Sequence, residues 1–202
     1  MAEVKWPTTV KFMEESEVAE GIKFANIGDG ETCQCSDDGF IDSCSYAQLA
    51  IFCTSDCCGL GAACSNAPRT LYSLRTPSAL RLYDTGRVGL GAFTTAYLEV
   101  GGVHRLSEYD AIVEGQPARA LKDNSVRCKY VYVEVLECGS ITRFMSHACD
   151  PNVEFVEMQN RTTVKVMARM LKTAKPEAEL TVNYGDQTWF TCARDECWVE
   201  PE

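Results

Sequence analysis

The chain has 202 residues, of which 46% are apolar and 24% charged, and this predicts a globular fold with one main domain and room for a small satellite. Its apolar stretches are too short for a membrane helix, and the acidic segment 1–20 does not predict a signal peptide. The formal net charge of −10 argues against a nucleic-acid surface and suits a basic partner such as a Lys/Arg-rich peptide, although a merely solubilising surface would carry the same charge.

The first two zones of the chain are a lead-in of mixed polarity, residues 1–30, and a cysteine-rich segment, residues 31–68. The second zone holds seven of the twelve cysteines and few large apolar residues, so it cannot build an adequate core by itself. Its best helical pattern is short and covers residues 45–52. We therefore expect metal ions to hold this segment together.

The spacing of the cysteines in this zone favours zinc. Cys33 and Cys35 are separated by one residue, and Cys53 precedes the adjacent pair Cys57 and Cys58 by three intervening residues. Short loops between thiolates are typical of tetrahedral zinc sites, whereas free or disulfide-bonded cysteines are the alternative. Seven ligands predict two structural zinc ions that share one bridging thiolate. The predicted ligands are Cys33, Cys35, Cys44, Cys53, Cys57, Cys58 and Cys64.

The rest of the chain contains the strand signals. Apolar residues alternate from Val164 to Met170, which predicts a strand, and 129–135 is predicted as a second strand rich in Tyr and Val. The segment Lys175-Pro176-Glu177 predicts a turn before a third strand over 179–184. With no long amphipathic helix in the sequence, the predicted fold class is mostly β, a β-rich α+β fold.

Two late segments resemble a known family. Residues 143–152 are R-F-M-S-H-A-C-D-P-N and residues 179–185 are E-L-T-V-N-Y-G. In this order they resemble the signature segments of SET-domain protein lysine methyltransferases, R-F-x-N-H-x-C-x-P-N and E-L-T-x-D-Y-G. Upstream, Gly89-Leu90-Gly91 resembles the family's G-x-G cofactor segment, and Glu108-Tyr109 resembles its E-Y-x-G strand. The cysteine zone resembles the zinc-binding pre-SET segment or, more closely, the associated-with-SET segment of the family.

The resemblance covers roughly residues 31–198 and implies a division of the chain. It implies a zinc-binding segment at 31–68, a SET domain of small sheets at 69–186, and a post-SET-like tail at 187–202. It also implies a pseudoknot, in which segment 143–152 threads beneath the segment that contains Tyr184.

The resemblance further implies an activity, namely transfer of a methyl group from S-adenosylmethionine to a lysine of a basic protein, most naturally a histone tail. Tyr184 and Tyr109 are the implied catalytic residues, and the implied lysine channel is lined by Tyr109, Phe144, Val182 and Tyr184. Packing alone is the alternative role for Tyr109. The implied cofactor contacts are Gly89, Leu90, Gly91, Arg143, Phe144, Ser146, His147 and Trp198.

The sequence departs from the family pattern at three positions. Ser146 replaces the usual Asn and is shorter, so a weaker cofactor contact is expected, and Asn183 replaces an Asp. In the tail, Arg194 stands where the middle cysteine of a post-SET zinc site is expected, which leaves a possible second site of Cys149, Cys192 and Cys197. Val182 is smaller than the Phe or Tyr often found two residues before the catalytic Tyr, which predicts di- or trimethylation.

Two functions therefore remain open from the sequence. The first is an active lysine methyltransferase, which implies a nuclear location with a cytoplasmic one as the alternative. The second is a SET-like, zinc-stabilised binding module that has lost most of its catalysis, as suggested by Ser146 and Arg194. No membrane partner and no direct nucleic-acid binding are expected.

Overall fold

Short strands dominate the described part of the computed structural model of the protein, where they form five small sheets with little helix. The predicted fold class is confirmed. The structure describes residues 2–13, 23–28, 33, 35, 44–61, 64, 66–67, 79–98, 108–109, 112–114, 132–134, 138–185, 190 and 192–193, and of residues 108–109, 112–114 and 132–134 only the backbone. Within these ranges, no helix has the length and apolar character needed to cross a membrane.

The strands in chain order are β1 (Glu3–Val4), β2 (Lys11–Phe12), β3 (Leu80–Asp84), β4 (Leu90–Thr94), β5 (Glu108–Tyr109), β6 (Ile112–Glu114), β7 (Tyr132–Glu134), β8 (Cys138–Gly139), β9 (Ser146–His147), β10 (Val153–Asn160), β11 (Thr163–Met170) and β12 (Thr181–Val182). The described helices are α1 (Ser45–Gln48) and one 3-10 helix (Ile141–Phe144). Three-stranded sheets have the orders β1-β3-β4 and β10-β11-β5, and two-stranded sheets join β9 to β12, β2 to β8 and β6 to β7.

The predicted strand from Val164 to Met170 is confirmed as β11, the longest strand together with its antiparallel partner β10. Its two faces enter different cores. Ala168 and Met170 lie in the main core, whereas Met167 lies in a small core with Phe52 of the cysteine-rich segment. Both faces are therefore covered near the end of the strand, which is why burial there does not follow a simple alternation.

The predicted helix over 45–52 is present but ends after one turn, at Gln48. Ala50 adopts a left-handed conformation with a φ of 55°. The N–H of Ile51 donates to the carbonyl of Tyr46 at 2.9 Å, and the N–H of Ala50 donates to Ala47 at 3.3 Å. These two bonds form a Schellman motif, which stops the helix and turns the chain toward β10, where Ile51 pairs with Gln159.

The predicted turn at Lys175-Pro176-Glu177 is confirmed. The N–H of Ala178 donates to the carbonyl of Lys175 at 3.0 Å, and Glu177 has a φ of 69°, as position three of a type II turn requires. The strand predicted after it is shorter than 179–184, because only Thr181 and Val182 form the ladder of β12. Of the strand predicted over 129–135, the structure describes only β7.

The main core lies where β3, β4, β10, β11 and β12 meet. Its buried residues are mostly aliphatic, with Met and Ala filling the gaps between short strands. They are Leu80, Ala92, Leu98, Met145, Val153, Ala168, Met170, Ala174, Leu180 and Val182. Burial of these side chains holds the two late signature segments against each other, since both segments contribute to the cluster.

Candidate active site and zinc cluster

The two signature segments lie side by side. β9 and β12 pair in parallel, with Ser146 opposite Thr181 and His147 opposite Val182. The N–H of Ala148 extends the pairing by donating to the carbonyl of Val182 at 3.0 Å. This is the juxtaposition that the predicted threading requires, and it brings Tyr184 next to His147.

Asn152 stabilises the crossing, by which we mean the place where the two signature segments lie side by side. Its Nδ2 donates to the carbonyl of Glu179 at 2.8 Å, and its Oδ1 accepts from the N–H of Thr181 at 2.8 Å. The side chain thus satisfies the backbone on both sides of Leu180, as a neighbouring strand would. Asn152 was part of the quoted motif, but the sequence alone suggested no role for it.

Tyr184 lies at the edge of the crossing with its hydroxyl turned inward. The hydroxyl donates to the carbonyl of Met145 at 2.5 Å, and the backbone N–H of Tyr184 donates to Nδ1 of His147 at 3.2 Å. The residue is 54% exposed, yet desolvation of its hydroxyl end raises the pKa of Tyr184 above its ordinary value. The side chain is therefore a neutral phenol at physiological pH.

His147 is fixed by its contacts on both ring nitrogens. Because Nδ1 accepts the N–H of Tyr184, the neutral ring carries its proton on Nε2, which lies 3.6 Å from Sγ of Cys149. The ring of Phe190, from the predicted tail, lies 5.3 Å from the His147 ring and 6.1 Å from the Tyr184 ring. His147, Tyr184 and Phe190 therefore form one aromatic group beside the end of β12.

The glycine segment reaches the same region through Glu179. Gly89 has a φ of 82° and open space around the position a Cβ would take, whereas a Cβ on Gly91 would lie 3.0 Å from Oε1 of Glu179. The hydroxyl of Ser146 donates to that same carboxylate oxygen at 2.5 Å. Gly91 is therefore needed for packing within the chain, while the backbone at Gly89 is open to a ligand.

The remaining predicted cofactor and channel residues lie in several different settings. The guanidinium of Arg143 lies over the ring of Phe144 at 4.9 Å, and Trp6 contacts the same ring edge-on at 5.3 Å. Trp6 was not predicted, because a single aromatic residue in a polar lead-in carries no periodic signal. Leu90 begins β4, and Val182 is buried in the main core.

Four residues of the sequence analysis can be placed only partly or not at all. The backbone of Tyr109 pairs with Val166 on the edge of β11, but its side chain lies outside the described part of the structure. Trp198 and Cys197 also lie outside the described residues, as does Arg194. Their assigned roles remain predictions from the sequence.

Six of the seven predicted zinc ligands converge. Their sulfur atoms form two overlapping groups of four, each with all sulfurs within 4.8 Å of one another, and Cys35 and Cys53 belong to both groups. Sulfur atoms at the corners of a zinc tetrahedron lie about 3.8 Å apart, given a zinc–sulfur bond of about 2.3 Å. The separations of 3.6 Å from Cys33 to Cys53 and 3.5 Å from Cys44 to Cys53 are close to this value. The full set is Cys33, Cys35, Cys44, Cys53, Cys58 and Cys64.

The seventh predicted ligand, Cys57, lies outside both groups. Its sulfur accepts from the N–H of Thr54 at 3.2 Å and from Nδ2 of Asn160 at 3.6 Å. Asn160 belongs to β10 and also donates to the carbonyl of Phe52 at 2.6 Å. Among the described residues, Cys57 is thus part of the contact between the cysteine segment and the β10–β11 hairpin.

The electrostatics of the cluster fit a cation. Desolvation by burial raises the pKa of Cys33, Cys35, Cys53 and Cys64, so these groups would remain protonated in the absence of positive charge. Burial also opposes ionisation of Cys44 and Cys58, but hydrogen bonds from backbone N–H groups and neighbouring thiols lower the pKa of both. Divalent zinc would overcome the desolvation penalty for all six, since it binds the deprotonated form.

A second group of possible ligands lies beside Tyr184. Ligand atoms of His147, Cys149 and Cys192 lie within 4.8 Å of one another. Two of these were predicted as a second zinc site, and the structure adds His147 to them. Binding of a metal at Nε2 would require the proton to move to Nδ1, so the hydrogen bond from the Tyr184 N–H would be lost.

The comparison with family models identifies this arrangement. A model described as SET domain matches residues 12–185, which is most of the chain. The chain belongs to the SET domain family. The match begins before the cysteine segment and includes both signature segments, so the boundaries predicted within this stretch remain predictions.

Solved structures share the SET domain fold of this chain. A crystal structure of KRYPTONITE in complex with mCHH DNA, H3(1-15) peptide and SAH matches 93% of this chain and 44% of that one, with a TM-score of 0.64 at 17% identity. A second KRYPTONITE structure, with mCHG DNA and SAH, matches 96% and 45%, with a TM-score of 0.64 at 18% identity. This SET domain chain therefore spans less than half the length of either, and the likeness establishes the shared fold.

Proposed function

We propose that the chain is a protein lysine N-methyltransferase that uses S-adenosylmethionine. The observation that carries the proposal is the position of Tyr184, whose hydroxyl is held at the carbonyl of Met145 where the two signature segments cross. A family fold retained only for packing would not need a tyrosine that is 54% exposed and yet hydrogen-bonded at this point. Membership of the SET domain family supports the same assignment.

The residues present fit the cofactor. The open backbone at Gly89 leaves room for a ligand beside β4, and it lies on the chain two residues from Gly91, which packs on Glu179. Gly89, Leu90, Gly91, Arg143, Phe144, Ser146 and His147 would hold the cofactor, with Trp198 as a further contact from the tail. S-adenosylmethionine supplies a sulfonium-bound methyl group that a neutral amine can attack in line.

The chain's own contribution is alignment and control of protonation. A lysine amine has an ordinary pKa near 10.4, so it must lose a proton to solvent before a nitrogen–carbon bond can form and the carbon–sulfur bond can break. Tyr184 is a neutral phenol, and its hydroxyl can accept a hydrogen bond from the amine while donating to Met145. Tyr109 and Phe144 would line the channel that excludes water from this point.

The proposed substrate is a basic peptide, with a histone tail as the first candidate. The net charge of −10 favours the approach of a Lys/Arg-rich segment. One KRYPTONITE structure contains an H3(1-15) peptide, and this supports a tail-like substrate for a chain of the same fold. Both KRYPTONITE structures also contain DNA, so the comparison lends no support to the expectation that no nucleic acid is bound. A nuclear location follows from this substrate class.

We propose that the product is dimethyl- or trimethyl-lysine. Val182 has neither the bulk nor the hydroxyl of a Phe or Tyr, so it leaves room at the amine and holds no water against it. Mass spectrometry of the product peptide at high turnover measures this directly. Accumulation of the monomethyl form alone would contradict the proposal.

A zinc-stabilised binding module with weakened catalysis is the second candidate. The observation that favours it is the bond from Ser146 to Glu179, because this hydroxyl is then engaged within the chain rather than with a cofactor. Cofactor binding measured by calorimetry separates the two candidates. An enzyme binds S-adenosylmethionine measurably, whereas a module that has lost this site gives no heat of binding.

The experiment that tests the enzyme is transfer of labelled methyl groups to a mixed histone preparation. We expect Tyr184→Phe to lower the rate by about 100-fold or more, because it removes the hydroxyl that positions the amine. Tyr97→Phe is the matched control, since Tyr97 is also 54% exposed, and it should retain the full rate. Equal rates for the wild type and Tyr184→Phe would refute the assigned role, and absence of both transfer and cofactor binding would favour the binding module.

A further inference from the structure

Asn66 is fully buried beside the cysteine cluster, and its side chain contacts two of the cluster's sulfurs. Its Nδ2 lies 2.8 Å from the carbonyl oxygen of Ile51 and 3.4 Å from the sulfurs of Cys44 and Cys53. Its backbone N–H donates to the sulfur of Cys64 at 3.4 Å. One residue thus directs N–H groups at three of the six converging sulfurs.

The orientation of the Asn66 amide leaves its oxygen without a hydrogen bond. Its Oδ1 has no hydrogen-bond partner among the described residues, and an unsatisfied buried carbonyl oxygen is unfavourable. Rotation of the amide by 180° would instead direct Oδ1 at two sulfurs and at the carbonyl of Ile51, all of which are acceptors. The observed orientation satisfies the carbonyl of Ile51 and at the same time offers N–H groups to sulfurs that need donors.

Sulfurs that are anionic thiolates need such hydrogen-bond donors. Six thiolates bound to two zinc ions retain an excess of two negative charges, since six exceeds four, and the cluster is largely buried. Buried negative charge is stabilised by N–H groups that point toward it, and such donors also orient metal ligands. Cys53 belongs to both groups of sulfurs, so a donor directed at Cys53 acts on both proposed zinc positions.

We propose that Asn66 is the positioning residue of the cysteine cluster. Its NH₂ group holds the sulfurs of Cys44 and Cys53 in place as thiolates, and its backbone N–H does the same for Cys64. Zinc retention then depends on a residue that is not itself a ligand. The inference rests on the proposed zinc site and is independent of whether the chain transfers methyl groups.

The test compares Asn66→Asp and Asn66→Ala with the wild type in the full chain. The first change keeps the shape but replaces the donors with negative oxygens, and we expect zinc transfer to a colorimetric chelator to be at least about 10-fold faster. Asn66→Ala removes the donors without adding charge and should give a smaller increase. Asn26→Asp is the matched control, because Asn26 is exposed and its Oδ1 accepts the backbone N–H of Gly28, a role that Asp can keep.

Cobalt(II) substitution separates this role from simple packing. Loss of N–H donors raises the energy of the thiolate lone pairs, so the sulfur-to-cobalt charge-transfer band should move to longer wavelength in Asn66→Ala and stay in place in Asn26→Asp. If Asn66→Asp fails to fold, the charge-transfer band and the zinc release rate of Asn66→Ala decide whether the proposal holds. Bound zinc with an unchanged band and release rate would overturn the proposal for Asn66, whereas wild-type protein purified without zinc would overturn the zinc site itself.

Discussion

Single residues at the crossing of the signature segments replace contacts that a longer strand would make. β9 and β12 contain only two residues each, so their ladder is short. Asn152 compensates by bonding the backbone of Glu179 and Thr181, and its own carbonyl accepts the N–H of Leu171 at 2.8 Å. The position of Tyr184 therefore depends on an asparagine that need not touch a substrate.

Asn152→Ala should lower the free energy of unfolding by about 2 to 3 kcal/mol, because two hydrogen bonds are lost and the N–H of the buried Thr181 is left without its acceptor. Urea denaturation measures the change. Asn183→Ala is the matched control, since Asn183 is exposed and its side chain accepts the N–H of Gly185, so its change should stay below about 0.5 kcal/mol. Equal losses in the two variants would show that Asn152 is not the support described.

At the scale of elements, the β10–β11 hairpin joins the cysteine segment to the main core. One face of β11 enters the main core, and the other packs Met167 with Met158 against Phe52. Hydrogen bonds follow the same junction, with the N–H of Gln159 donating to the carbonyl of Ala50 at 2.9 Å. The cysteine segment is therefore docked on the hairpin by apolar burial as well as by hydrogen bonds.

Phe52→Ala should destabilise the chain by about 3 to 5 kcal/mol, because it leaves a cavity between the segment and the hairpin. Zinc content should not change, since the six converging cysteines remain. Leu49→Ala provides the comparison, because Leu49 is 67% exposed and its loss should be small. Chemical denaturation with zinc analysis of the same samples measures both quantities, and a loss of zinc in Phe52→Ala would show that docking and metal binding are one event.

For the whole molecule, charge is the property that bears on substrate choice. A net charge of −10 attracts basic peptides over distances of about 10 Å at ordinary ionic strength, and added salt screens this attraction. The attraction acts before the amine reaches Tyr184. It should therefore affect how often substrate is captured and have little effect on the chemical step.

The KM for a basic tail peptide should accordingly rise several-fold between about 50 and 300 mM salt, while kcat stays nearly constant. A peptide with the same acceptor lysine but its flanking Lys and Arg replaced by Gln is the control, and its KM should depend much less on salt. Steady-state kinetics at matched pH measures both. Equal salt dependence of the two peptides would mean that the net charge does not steer the substrate.

The sequence determined the elements whose signals are local. The alternation from Val164 to Met170 produced β11, the Lys175-Pro176-Glu177 turn formed, and the mostly β fold class with the two signature segments identified the family. These features depend on side-chain period and turn chemistry, which neighbouring residues specify. The helix over 45–52 was overestimated because the left-handed Ala50 is set by pairing with β10 and not by helix propensity.

Only the tertiary structure decided which distant residues meet. His147 and Tyr184 are 37 positions apart, and Asn66 reaches Cys44 across 22 positions, so no local pattern could have linked them. The cluster likewise contains six converging cysteines where the spacing predicted seven, because Cys57 faces Asn160 of the hairpin. Spacing sets how near two residues on the chain can come, but packing of the whole fold decides which side chains share a site.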